Sequence, residues 1–140
     1  MTSFGSNALW RAINKNGDKA ISAFFEGLQQ RRLIISRCQS CNTSYSPPRT
    51  FCPECLSKKI DLEGHTGRGR VYSFTTMTQP SSHGNLITVA MVELDGVEGR
   101  LFSRVEVPYE GMIIGMAVEV DYFELNGIIL HCFRPVAVES

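Results

Sequence analysis

The sequence predicts a mainly β chain built from an N-terminal helix, a small cysteine-held ribbon and a five-stranded barrel. Three observations carry that expectation. An apolar stripe at helical spacing occupies residues 19–28. Two Cys-x2-Cys pairs follow within 18 residues, Cys38/Cys41 and Cys52/Cys55. The rest of the chain reads as short apolar runs separated by glycine-rich turns, the pattern of a small all-β barrel.

Residues 1–32 form the helical part. Asp18 follows Gly17 and is placed to cap a helix starting near Lys19. Ile21, Phe24, Phe25 and Leu28 then recur every three or four residues and define one apolar stripe. The stripe covers either the chain's own core or a partner, and the sequence does not choose between them. Trp10 and Ile13 predict a shorter helix upstream, broken at Asn14-Lys15-Asn16-Gly17.

Residues 33–63 hold four of the five cysteines and three of the six prolines. The spacing Cys38-x2-Cys41-x10-Cys52-x2-Cys55 offers four thiolates in two tight knuckles, the donor set of a tetrahedral structural zinc ion. Asn42, just after the first pair, suits a left-handed turn, and Tyr45-Ser46-Pro47-Pro48-Arg49 suits an extended ribbon arm. Disulfides are disfavoured in a reducing cytoplasm. A four-thiolate iron centre has the same ligands, so spacing alone does not separate the two metals; zinc is the expected one. Four thiolates leave no open position for water, which points to a scaffold rather than a Lewis acid.

Residues 64–140 carry the barrel. Strands are expected over Val71–Met77, Ile87–Leu94, Gly99–Val105, Val118–Glu124 and Ile128–Phe133. Asn126-Gly127, flanked by apolar runs, is the strongest hairpin signal in the chain. Five such strands fit an OB-fold.

Composition narrows the function. Fourteen basic residues balance fourteen acidic ones, so the broad cationic face of a nucleic-acid binder is missing. A nucleic-acid-binding module remains the alternative reading, because OB-folds and zinc ribbons both serve that role. No stretch approaches the roughly 20 apolar residues that span a bilayer, and the first residues lack a secretory pattern. A cytoplasmic protein with no membrane partner is expected.

Catalytic groups are sparse. Cys132 is the one cysteine outside the pairs; its neighbour His131 points to the opposite face of a strand, so the two make no nucleophile–base couple. His65 and His83 sit beside glycines and read as turn residues. Gly64-x2-Gly67-x-Gly69 precedes a strand rather than a helix, so it reads as a flexible hinge and not a phosphate loop. Glu93/Asp95 and Glu119/Asp121 alternate as on the solvent face of a sheet. No nucleophile, base and oxyanion donor converge, and the chain is not expected to catalyse alone.

Phe24-Phe25-Glu26-Gly27-Leu28, Arg32-Leu33, Arg37-Cys38-x2-Cys41, Pro47-Pro48-Arg49 and Cys52-Pro53-x-Cys55 together resemble the family catalogued as domain of unknown function 35. Gly67-x-Gly69-x-Val71-Tyr72-Ser73-Phe74-Thr75, Val92-Glu93-Leu94 and Ile114-Gly115-Met116-x-Val118 extend that resemblance over nearly the whole chain from residue 19. It implies a rubredoxin-like zinc ribbon joined to an acyl-CoA-associated OB-fold. It further implies a non-catalytic accessory subunit of a thiolase-type acyl-CoA enzyme, whose catalytic partner supplies the nucleophilic cysteine and the histidines. In that setting Arg49, Arg68 and Arg70 are candidates to meet the phosphates of coenzyme A. Tyr72 and Phe74, two apart, are expected to share a face, packed in the core or lying along an adenine or pantetheine arm.

Overall fold

The computed structural model describes residues 19–78 and 85–136. The upstream helix over Trp10 and Ile13, the Asp18 cap and His83 lie outside these residues.

Helix α1 (Lys19–Gln29) buries Ala20, Phe24, Gly27 and Leu28. These stand at i, i+4, i+7 and i+8, so they share one face. Ile21, expected in the stripe, is 44% exposed: it lies in the first turn of the helix, N-terminal to Phe24 and Leu28. The helix ends in a Schellman motif: Arg32 N–H donates to Gly27 C=O and Arg31 N–H to Leu28 C=O. Arg31 takes the left-handed position at φ 57°, where glycine is usual, and its guanidinium lies over the Tyr122 ring.

The ribbon is a three-stranded antiparallel sheet in the order β2 (Ser44–Tyr45), β1 (Leu33–Cys38), β3 (Ile60–His65). The remaining strands are β4 (Arg68–Thr78), β5 (Leu86–Leu94), β6 (Leu101–Val105), β7 (Ala117–Leu125) and β8 (Ile128–Pro135). They close a barrel in the order β4-β5-β6-β8-β7, with β6 and β8 parallel and the other pairs antiparallel. The fold is thus the expected helix, ribbon and five-stranded barrel. At the β7–β8 turn Asn126 and Gly127 both have positive φ, 52° and 83°, as a two-residue hairpin of type I′ requires.

One core joins all three parts. Phe24 and Leu28 of α1 and Leu33 and Ile35 of β1 cluster with Val71, Val92, Leu101, Val118 and Phe133 of the barrel. The helix stripe therefore covers the chain's own core. The glycine segment expected as a hinge is a tight contact instead. Gly67 has φ +84°, and a Cβ there would collide with the Val120 side chain; a Cβ on Gly69 would meet the Glu93 carbonyl. Glycine is required at these positions for close approach rather than for mobility.

Candidate metal centre and ligand-facing surfaces

The two knuckles repeat one backbone design. Asn42 N–H donates to Cys38 C=O, and Leu56 N–H donates to Cys52 C=O, each at 2.8 Å. The residue closing each knuckle is left-handed, Asn42 and Leu56 both at φ 64°. Asn42 was legible from its residue type; Leu56 was not, since leucine rarely adopts that conformation.

These turns bring the four sulfurs together, all within 4.8 Å of one another. Cys38 Sγ stands 3.6 Å from Cys55 Sγ, and Cys41 Sγ 3.5 Å from Cys52 Sγ. Zinc–thiolate bonds of about 2.3 Å put tetrahedral corners about 3.8 Å apart. Cys38 and Cys52 are buried while Cys41 and Cys55 face outward. The electrostatics also call for a cation. The N–H of Cys41 leads in holding the Cys38 thiol down at about 6. At Cys55 the Ser57 N–H pulls the other way, but the neighbouring sulfurs and burial outweigh it and push the thiol to about 12. Four crowded thiols do not all ionise without a counter-charge, and a divalent ion supplies one.

A further fit lies behind the cluster. Tyr45 packs with Cys38 and Cys52 in a small buried core, and its hydroxyl has no hydrogen-bond partner among the described residues. Burial first, then the charges of Glu54 and Cys52, push that hydroxyl up to about 12. A buried protonated donor packed beside these cysteines suits thiolates better than thiols.

The residues expected along coenzyme A divide between two surfaces. Arg49 belongs to the ribbon: its N–H is held by Ser36 Oγ at 3.0 Å and its guanidinium lies 5.9 Å from the Tyr45 ring centre. Arg68 and Arg70 share the outer face of β4. Arg68 lies 3.9 Å from Glu119, and Arg70 donates to the Gly115 carbonyl at 2.9 Å. Tyr72 and Phe74 do not share a face. The register slips between Val71 and Ser73, a β-bulge, so Phe74 turns inward against the core and Tyr72 outward. Tyr72 is 48% exposed, which excludes core packing for it, and Arg100 stacks 3.5 Å over its ring. Phe74 meets Tyr109 edge-on at 5.3 Å.

Comparison with known proteins gives the arrangement a lineage. Residues 25–61 match the ChsH2 rubredoxin-like zinc-ribbon domain and residues 65–123 the ChsH2 C-terminal OB-fold domain. The chain belongs to the ChsH2/DUF35 family. It is 35% identical to the solved "Ltp2-ChsH2(DUF35) aldolase" chain, covering 84% of this chain and 94% of that one, with a TM-score of 0.72. A DUF35-family protein of unknown function from Sulfolobus solfataricus, 20% identical, shares the fold at a TM-score of 0.66, over 91% of this chain and 95% of that one. A probable enoyl-CoA hydratase alpha subunit of Thermomonospora curvata is 35% identical over 92% of this chain, which spans 40% of that protein's length. A DUF35 domain-containing scaffold protein of Pyrococcus furiosus is 28% identical, over 83% of this chain and 93% of that protein.

The remaining candidates of this DUF35 chain do not converge on one another. His131 faces the core: Ser103 Oγ lies 2.7 Å from its Nδ1, and Phe24 and Phe133 flank its ring. Cys132 is buried but absent from the core cluster, as the opposite strand face requires. His65 is a clasp, with Nδ1 accepting from Gly67 N–H at 2.9 Å and Nε2 2.8 Å from the Asp95 carbonyl. Among the described residues no helix is long and apolar enough to cross a membrane.

Proposed function

We propose that this chain is a non-catalytic, zinc-holding accessory subunit of an acyl-CoA enzyme of thiolase type. The catalytic partner supplies the nucleophile and bases for carbon–carbon bond cleavage or formation next to the thioester. This chain supplies a preformed surface beside the acyl-CoA entrance. The observation that carries the reading is the closed four-cysteine centre, set in a chain whose buried histidine is engaged by Ser103 and whose remaining cysteine is buried in the barrel. A metal with four protein thiolates has no position left for substrate, so its contribution is folding energy. The relatives support the company such a chain keeps, being an aldolase component, a hydratase subunit and a scaffold protein by their names. The thiolase character of the partner rests on the family resemblance.

The test is co-expression with a thiolase-superfamily chain from the same organism. Size-exclusion chromatography should return one complex containing both. The change in free coenzyme A thiol, consumed when a 3-oxoacyl-CoA is cleaved by thiolysis and released when two acyl-CoA thioesters condense, should require both chains. Turnover by the isolated 140-residue chain would refute the reading, as would a partner fully active and stable without it. A complex that hydrates enoyl-CoA without breaking a carbon–carbon bond would replace the thiolase partner by a hydratase.

A further inference from the structure

Helix α1 and the ribbon border a cleft of about 310 Å³. Lys19, Arg49 and Lys58 line it, together with Thr50, Ile60 and Leu62. No carboxylate lines it, and the reason is the alternation of β3. Ile60 and Leu62 form the cleft floor, while Asp61 and Glu63 face the other way and pair with Arg37, each at 3.2 Å. Among the described residues none of the three cleft cations makes an ion pair, so no carboxylate offsets their charge at the cleft. In a chain with no formal net charge, three unpaired cations over an apolar floor mark a local concentration of positive potential.

We propose that this cleft binds the phosphate groups of a nucleotide-class ligand, with Lys19, Arg49 and Lys58 as the phosphate contacts. Three positive charges match a ligand carrying two or more phosphate charges, and Arg49 offers the planar fork that grips phosphate oxygens in pairs. Ile60 and Leu62 accept the less polar part of the ligand. The volume sits at the lower end of small-molecule sites, roughly 300–1,000 Å³, enough for a nucleotide fragment and not for a whole cofactor. Arg68 and Arg70 are not part of it. The choice of a nucleotide rests on the acyl-CoA reading above; the cationic cleft stands on its own geometry.

The probes are adenosine 3′,5′-bisphosphate, inorganic pyrophosphate and adenosine, titrated by calorimetry into the zinc-loaded full chain at low and moderate salt. The bisphosphate should bind, more weakly as salt rises, and adenosine should not. The Arg49→Ala/Lys58→Ala double variant should lose at least tenfold in affinity, while Arg68→Ala/Arg70→Ala should stay within twofold. Unchanged circular dichroism and zinc content establish that each variant is folded. Absence of bisphosphate binding overturns the proposal, and so does an equal loss in both double variants. Pyrophosphate binding as tight as the bisphosphate keeps the phosphate site and overturns the nucleotide class. If the chain assembles with its partner and turns over acyl-CoA without binding the bisphosphate, the cleft assignment alone fails. If it binds the bisphosphate but forms no acyl-CoA enzyme, the function fails and the cleft stands.

Discussion

Gln29, the last residue of α1, fastens the helix to the barrel through its side-chain amide. Its Oε1 accepts from Ile129 N–H at 2.9 Å, and its Nε2 donates to the Ile129 and Phe25 carbonyls at 3.0 Å each. Ile129 has these groups to offer because β6 pairs with β8 only at Cys132 and Phe133, leaving the start of β8 open on that side. The glutamine amide stands in for a missing strand. Replacing Gln29 by Ala removes two inter-element hydrogen bonds, each with a net value of about 1 kcal/mol, and strands two partly buried backbone groups. The expected loss is about 2 kcal/mol. With a urea slope of about 2 kcal/mol/M, the unfolding midpoint of the zinc-loaded chain should fall by about 1 M at unchanged slope. Gln29→Glu keeps an acceptor for Ile129 N–H but turns carboxylate oxygen toward two carbonyls, so it should be no better than Ala. Hydrogen exchange at the Ile129 amide should accelerate in both variants. A loss below about 0.5 kcal/mol, with Ile129 protection unchanged, would refute the clamp, since that is less than one ordinary hydrogen bond.

Leu56→Asn places a residue tolerant of left-handed backbone where a 71%-exposed leucine now sits; it should stabilise the folded chain by about 1 kcal/mol in denaturant titration. Burial lowers His131 from 6.5 to about 4. The unfolded chain therefore binds a proton that the folded one refuses, and stability should fall as pH drops from about 6.5 to 4, by up to about 1.4 kcal/mol per pH unit from this group. His131→Gln should flatten that limb relative to wild type, and parallel limbs would remove His131 from the account. Tyr45→Phe removes a buried hydroxyl packed beside Cys38 and Cys52; zinc affinity by chelator competition should drop on the order of tenfold, whereas an unchanged affinity would show that the hydroxyl takes no part in holding the ion.

Where one residue type dictates one local geometry, the fold was readable in the chain. The two Cys-x2-Cys pairs, Asn42 and Asn126-Gly127 each act within a few residues, and each does in three dimensions what its spacing requires. Failures came where geometry is set from a distance. The bulge at Val71–Ser73 breaks the period of two, so counting alternate residues put Tyr72 on the face of Phe74. Composition carried no sign of it, because the slip is held by backbone bonds from afar: Val71 N–H donates to Met116 C=O, and Gly115 N–H to Val71 C=O. The glycines at 67 and 69 were visible, but the walls that require them, Val120 and Glu93, come from other strands. The cationic cleft was half legible. Arg49 was a candidate through the family resemblance, while Lys19 and Lys58, 39 positions apart in the sequence, meet it only after the helix has folded over the sheet.

The four-cysteine site and the cleft share single residues, so an ion held at the cysteines would bear on the cleft as well. Ile60 packs against the small core of Cys38, Tyr45 and Cys52 and also floors the cleft. Arg49 reaches the cleft with its backbone held by Ser36 of β1 and its guanidinium over Tyr45. Without an ion the four thiols have no common partner, and a ribbon this small has no other core to hold Ile60 and Tyr45 in place. Removing zinc with a strong chelator should therefore abolish bisphosphate binding even under conditions where the barrel strands stay protected from hydrogen exchange. The barrel shares Leu33 and Ile35 with the ribbon, so its own stability should fall as well, by less than the ribbon's. Bisphosphate binding that survives complete zinc removal would mean that the cleft is held by the helix and β3 alone, and that the ion serves only the far end of the ribbon.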